Sequence, residues 1–189
     1  MARPPVEGWQ GRFLGDFRVG DVYRHAQGRT ISEADNTWFA LLTNNPHQLH
    51  SNADYAARTE FGRPLVVSTL TLAIVTGLSV PDLSQNAIAN LGWDQVRLVA
   101  PVFAGDTLYA ESEVLEVRPS RSRPGQGIVR VRTRGFNQRD ETVIEYQRTI
   151  LVPSRDTPAA AGEDPDPVGV RPPPRPSDSR TRRSAPRRP

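Results

Sequence analysis

Between Leu65 and Val80 the chain carries its longest apolar stretch, and this stretch limits the fold more than any other feature. It is shorter than the roughly 20 residues that span a bilayer, and Ser68, Thr69, Thr71 and Thr76 interrupt it. It therefore predicts one helix, from about Ser68 to Leu78, buried by the protein itself. Gly77 lies near its end, and Pro81 does not continue it easily. A buried helix needs a second layer to cover it.

That layer follows in the sequence. Ala87 to Val99, Thr107 to Val117, Gly127 to Phe136 and Thr142 to Val152 alternate β-branched and polar residues between turn residues. The polar loop from Pro119 and the run Asn137-Gln-Arg-Asp-Glu are short connections, which favour antiparallel pairing. The third segment puts Ile128, Arg130, Arg132 and Arg134 on one face, which reads as solvated. The same arginines, with those of loop 118–123, are the alternative site for phosphate contact.

Upstream, Ala34, Trp38, Phe39, Leu41 and Leu42 recur near helical spacing, with Ser32 as N-cap and Glu33 and Asp35 where the helix dipole favours acids. Thr43-Asn-Asn-Pro46 stops this helix, because the residue before a proline avoids the helical region, and a loop then runs to His50. Ser51 to Thr59 can form another turn or two before Phe61-Gly-Arg-Pro64 breaks the chain. Residues 1–20 read as an extended N-terminal arm, 21–153 as one domain and 154–189 as a disordered tail of Pro, Arg, Asp and Ala that cannot bury enough apolar surface to order itself. The order is one short helix, a loop, one buried helix and four strands, which gives an α+β layer with an antiparallel sheet wrapped around a central helix.

Charge adds little to that body. The formal net charge is +3, and the tail's 8 Arg against 5 acidic residues account for it. The basic isoelectric point thus gives no reason to expect a specific nucleic-acid partner. No Cys is present, which excludes disulfides, a thiolate nucleophile and Cys-based zinc or iron–sulfur sites. The N-terminus lacks the apolar core of a secretory signal, so a cytoplasmic, non-membrane protein is expected.

The residues that can carry chemistry cluster between Thr43 and Thr69. His50 exchanges protons near neutral pH and sits in a loop before the buried helix. Asn45 cannot be a general base, but its amide can orient water or simply hold a turn before Pro46. Val67, Ser68 and Thr69 open the buried helix, whose leading N–H groups and dipole suit a developing oxyanion. Ser68 and Thr69 read otherwise as helix caps. His25 lacks such surroundings and reads as structural.

The run Leu42-Thr-Asn-Asn-Pro-His-Gln-Leu-His-Ser-Asn-Ala-Asp-Tyr-Ala-Ala, with Phe61-Gly-Arg-Pro-Leu-Val and Pro101-Val-Phe-Ala-Gly-Asp-Thr-Leu-Tyr, resembles the MaoC-like (R)-specific enoyl-CoA hydratase family over about Asp21 to Val152. The resemblance implies a hot-dog fold, a homodimer or dimer of dimers, an acyl-CoA substrate, and no metal or cofactor beyond the coenzyme A that the substrate brings. It makes His50 the catalytic acid–base residue, with Asn45 where the commoner pattern has Asp, and places the substrate against Arg63, Val67, Ser68 and Thr69. His47, ranked first by proximity, Asp35 and Asp54 are the groups that could compensate for the missing carboxylate. Asn before Pro-His-Gln-Leu-His, with Ser84 to Asp94, further resembles mesaconyl- or itaconyl-CoA hydratases. Two alternatives stay open: an acyl-CoA thioesterase, and an acyl-CoA-binding subunit without chemistry of its own.

Overall fold

A computed structural model describes residues 8–157, so most of the expected tail lies outside the described residues. Ser32 caps α1 (Glu33–Leu42): its hydroxyl accepts from the Asp35 N–H, and the Asp35 carboxylate accepts from the Ser32 N–H. This reciprocal pairing satisfies two donors that a helix start leaves open. After a 3-10 turn, Gln48–His50, Asn52 caps the short α2 (Ala53–Ala57). The central helix α3 (Ser68–Leu78) buries Leu70, Thr71 and Val75. It is one-sided rather than enclosed, because Ser68, Thr69, Ala73 and Gly77 are exposed. No described helix is long and apolar enough to cross a membrane.

The sheet has strands β1 (Val22–Arg24), β2 (Arg29–Thr30), β3 (Ala89–Leu98), β4 (Thr107–Pro119), β5 (Gln126–Asn137) and β6 (Thr142–Pro153) in the order β1-β4-β5-β6-β3, with β2 also on β4. All pairs are antiparallel. Alternation turns Leu108, Ala110 and Val114 of β4, Val129 and Val131 of β5 and Ile144, Tyr146 and Ile150 of β6 inward, and all are buried. Each such Leu, Ile or Val side chain contributes about 1.5–3 kcal/mol on leaving water. One core cluster joins this face to Val66, Val67, Leu70 and Val75; the second gathers around Phe17 and Leu83. The N-terminal segment lies on the body, where Phe17 is buried and Trp9 donates to the Pro81 carbonyl at 2.9 Å.

Two expectations change. The arginine face of β5 meets acids of β4 rather than bare solvent: Arg130 reaches Glu116 at 3.5 Å, Arg132 reaches Glu113 at 3.2 Å and Arg134 reaches Glu111 at 3.3 Å. Cross-strand register sets these contacts and occupies the three strand guanidinium groups among those considered for phosphate. Ile128, assigned to the same face, is buried. Strand β3, expected as one strand of the covering layer, is exposed almost throughout: Leu91 at 44 % and Leu98 at 55 % keep much of their apolar surface in water. It follows α3 in sequence but, among the described residues, pairs only with β6, which leaves its outer edge without a strand partner there.

Candidate functional site

His50 ends the 3-10 turn that follows α1. Its Nδ1 lies 2.8 Å from the carbonyl oxygen of Leu65. A carbonyl only accepts, so Nδ1 carries a proton, and in the neutral ring Nε2 then holds the lone pair. The backbone reinforces this contact, since the Leu65 N–H donates to the Leu49 carbonyl at 3.1 Å. His50 lines a pocket of ≈ 250 Å³ together with Glu33, Asn36, Thr37, Arg63 and Pro64, among others. Glu33, Asn36 and Thr37 share one face of α1 by their helical spacing.

Arg63 is held with its guanidinium 4.1 Å above the Phe103 ring. A cation on an aromatic face keeps its N–H donors free for an anion. The segment 61–66 also borders a second pocket of ≈ 240 Å³ lined by Phe61, Leu65, Val66, Ser68, Leu98 and Val102. That pocket runs past the start of α3 to the exposed end of β3.

The sequence-chosen residues are placed unequally. Asn45 lies in the same loop as His50, but its Oδ1 accepts from the His47 N–H at 3.1 Å, the turn-forming role. His47 has its ring centroid 5.7 Å from that of His50, and its Nδ1 accepts from the Leu49 N–H at 3.1 Å. The other two compensating candidates are engaged elsewhere. Asp35 serves the α1 cap and pairs with Arg29 at 2.8 Å, which holds its carboxyl below the usual carboxylate range, the Ser32 N–H being the main cause. Asp54 is paired with Arg58. The acidic residue that lines the His50 pocket is Glu33, which sequence reasoning used only as a helix-start acid.

At α3, Ser68 and Thr69 do not cap; Val67 occupies the N-cap position and no side chain closes the helix start. The Val67 N–H is not available to a ligand, because Asn36 Oδ1 accepts it at 2.9 Å. Ser68 and Thr69, both exposed, carry the leading N–H groups. Asn36 was missed from sequence. The available signal was helical spacing: Asn36 precedes the buried Ala40 by one turn, which puts an amide on the inward face of α1.

His25 is buried and structural. Its Nδ1 meets Asp82 at 2.9 Å, and its Nε2 meets Ser112 at 3.0 Å, with Ser112 in turn 2.8 Å from Thr133.

A family model described as mesaconyl-CoA hydratase matches residues 7–178. A mesaconyl-CoA hydratase of Cereibacter sphaeroides is 40 % identical over 151 residues, covering 80 % of this chain and 44 % of that protein. The crystal structure of a MaoC domain protein dehydratase from Chloroflexus aurantiacus superimposes with a TM-score of 0.76 at 39 % identity, over 84 % of this chain and 45 % of that one. A protein of Mycobacterium tuberculosis with a double hot-dog fold matches at a TM-score of 0.70 and 26 % identity, over 85 % of this chain and 50 % of that one. This chain therefore spans about half the length of these relatives, and it has the hot-dog fold. By the extent of the family match, the chain belongs to the mesaconyl-CoA hydratase family.

Proposed function

We propose that this chain is a hydro-lyase that adds water reversibly across the double bond of an enoyl-CoA thioester, giving the 3-hydroxyacyl thioester. The observation that carries the reading is the His50 ring: its Nδ1–H is held by the Leu65 carbonyl, and His50 lines a pocket together with Glu33 and Arg63. Nε2 takes a proton from water as its oxygen attacks the β-carbon, and a proton is delivered to the α-carbon. The leading N–H groups of Ser68 and Thr69 stabilise charge on the thioester oxygen, as preorganised donors do in acyl chemistry. Glu33, as the carboxylate lining the pocket, is the second proton-exchanging group that position 45 lacks.

For the acyl group, the free face of Arg63 suits a carboxylate, and the neighbouring apolar pocket suits a short branched chain. A dicarboxylic enoyl-CoA such as mesaconyl- or itaconyl-CoA meets both, in line with the name of the matching family. A coenzyme A thioester also suits a cytoplasmic setting. The free edge of β3 suits pairing with a second copy, in a homodimer that continues the sheet.

One observation favours a second reading. Asn45 is spent on a turn, which fits a subunit that binds acyl-CoA and leaves chemistry to a partner. The test is to incubate purified protein with a panel of enoyl-CoA esters, mesaconyl-CoA included, and follow the conjugated enoyl absorbance. Turnover that is lost in His50→Ala and cut at least tenfold in Glu33→Gln supports the assignment. Turnover undiminished in His50→Ala sinks it, and binding without turnover selects the second reading.

A further inference from the structure

Asn36 is almost fully buried, and each polar position of its side chain is used. Nδ2 donates to the His50 carbonyl at 2.9 Å and to the Leu65 carbonyl at 3.1 Å, while Oδ1 accepts from the Val67 N–H at 2.9 Å. The orientation of the amide is thereby fixed, since a flipped side chain would oppose oxygen to two carbonyls and nitrogen to an N–H. One residue of α1 thus joins the His50 loop, the Leu65 segment and the start of α3. The Leu65 oxygen is the shared point, because its two lone pairs take Asn36 Nδ2–H and His50 Nδ1–H.

We propose that Asn36 is a positioning residue that fixes His50 in its Nδ1–H tautomer by locking the Leu65 carbonyl against the ring. A free carbonyl could rotate away from Nδ1, and the ring would then populate the Nε2–H form, which presents a donor where the reaction needs a base. The same amide holds Val67 by its N–H, so that Ser68 and Thr69 keep a fixed direction relative to Nε2. The catalytic consequence rests on the hydratase reading, but the effect on the ring does not.

The test uses full-length protein with 15N-labelled histidine and long-range proton–nitrogen spectra. The chain has 3 His, and the other two serve as references: His47 accepts at Nδ1, and His25 faces Asp82 through Nδ1. Wild-type His50 should show a protonated Nδ1 and an unprotonated Nε2. Asn36→Asp conserves volume and the acceptor for Val67 but removes both donors. It should convert much of His50 to the Nε2–H tautomer or the imidazolium, and lower kcat roughly a hundredfold with KM changed by less than about threefold.

An unchanged His50 spectrum in a folded Asn36→Asp protein overturns the proposal. So does a wild-type spectrum with the proton on Nε2, which requires no variant and holds even if Asn36→Asp fails to fold. Asn36→Ser, which shortens the side chain without adding charge, should shift the same signals, and a silent spectrum there also counts against it. If the wild type hydrates no enoyl-CoA, the functional reading fails while the spectra still decide the role of Asn36.

Discussion

His25, His47 and His50 differ in what each ring nitrogen meets, and those differences set their behaviour. His50 donates from Nδ1 to the Leu65 carbonyl and lines a pocket, His47 accepts from the Leu49 N–H, and His25 is sealed between Asp82 and Ser112. Burial holds the His25 imidazole below its ordinary value, against the opposing pull of Asp82. The folded chain thus binds that proton less readily than the unfolded chain, whose histidine titrates near pH 6.5. The stability this provides is complete above about pH 6.5 and is lost as pH falls through the interval down to the depressed folded value. Thermal unfolding from pH 7.5 to pH 5 should show that loss in the wild type and a flatter profile in His25→Gln; equal slopes would contradict the assignment. At this scale His50 was legible because a loop histidine before a buried helix sits within a distinctive run of residues. Asn36 was not, because a buried amide in a helix looks like any polar residue until its partners, Leu65 and Val67, are known. Val67 was misassigned for the same reason: its N–H has an acceptor 31 residues away in sequence.

Helix α1 begins at the residue its capping pattern predicts, and α3 matches the apolar stretch, because both are set by contacts within a few positions along the chain. Strand β3 also forms where alternation places it, yet its neighbour does not follow from its sequence. Pairing with β6 instead of β4 is a long-range choice that local pattern does not encode. The approach of α3 to the sheet depends on another long-range feature, Gly135 of β5. A methyl group there would come within 2.7 Å of Ile144 Cγ2 and 2.7 Å of Val75 Cγ2, in the middle of the helix–sheet contact. Gly135→Ala should therefore cost about 1–3 kcal/mol through overpacking, read as a lowered denaturation midpoint. A neutral substitution would show that α3 can lift from the sheet without cost.

Across the molecule, the most telling disproportion is between a well-filled interior and the apolar side chains left along β3. Leu91, Trp93, Val96 and Leu98 remain substantially exposed on one strand, with Ile88 just before it, more than isolated surface residues require. Proteins of about twice this length match over one half of themselves, and the M. tuberculosis structure among them has two hot-dog units. The pairing proposed across β3 predicts that the chain sediments as a dimer or larger assembly, and that Leu91→Asp shifts it toward monomer. A wild-type monomer at high protein concentration would rule that pairing out. The second pocket, whose wall includes Leu98 at the open edge, then has a consequence for enzymology. If a neighbouring copy closes that wall, the acyl site exists in full only while two chains are together. Specific activity would fall on dilution below the dissociation constant of the pair and return on concentration. A dilution series at fixed substrate would then report on assembly as well as on catalysis.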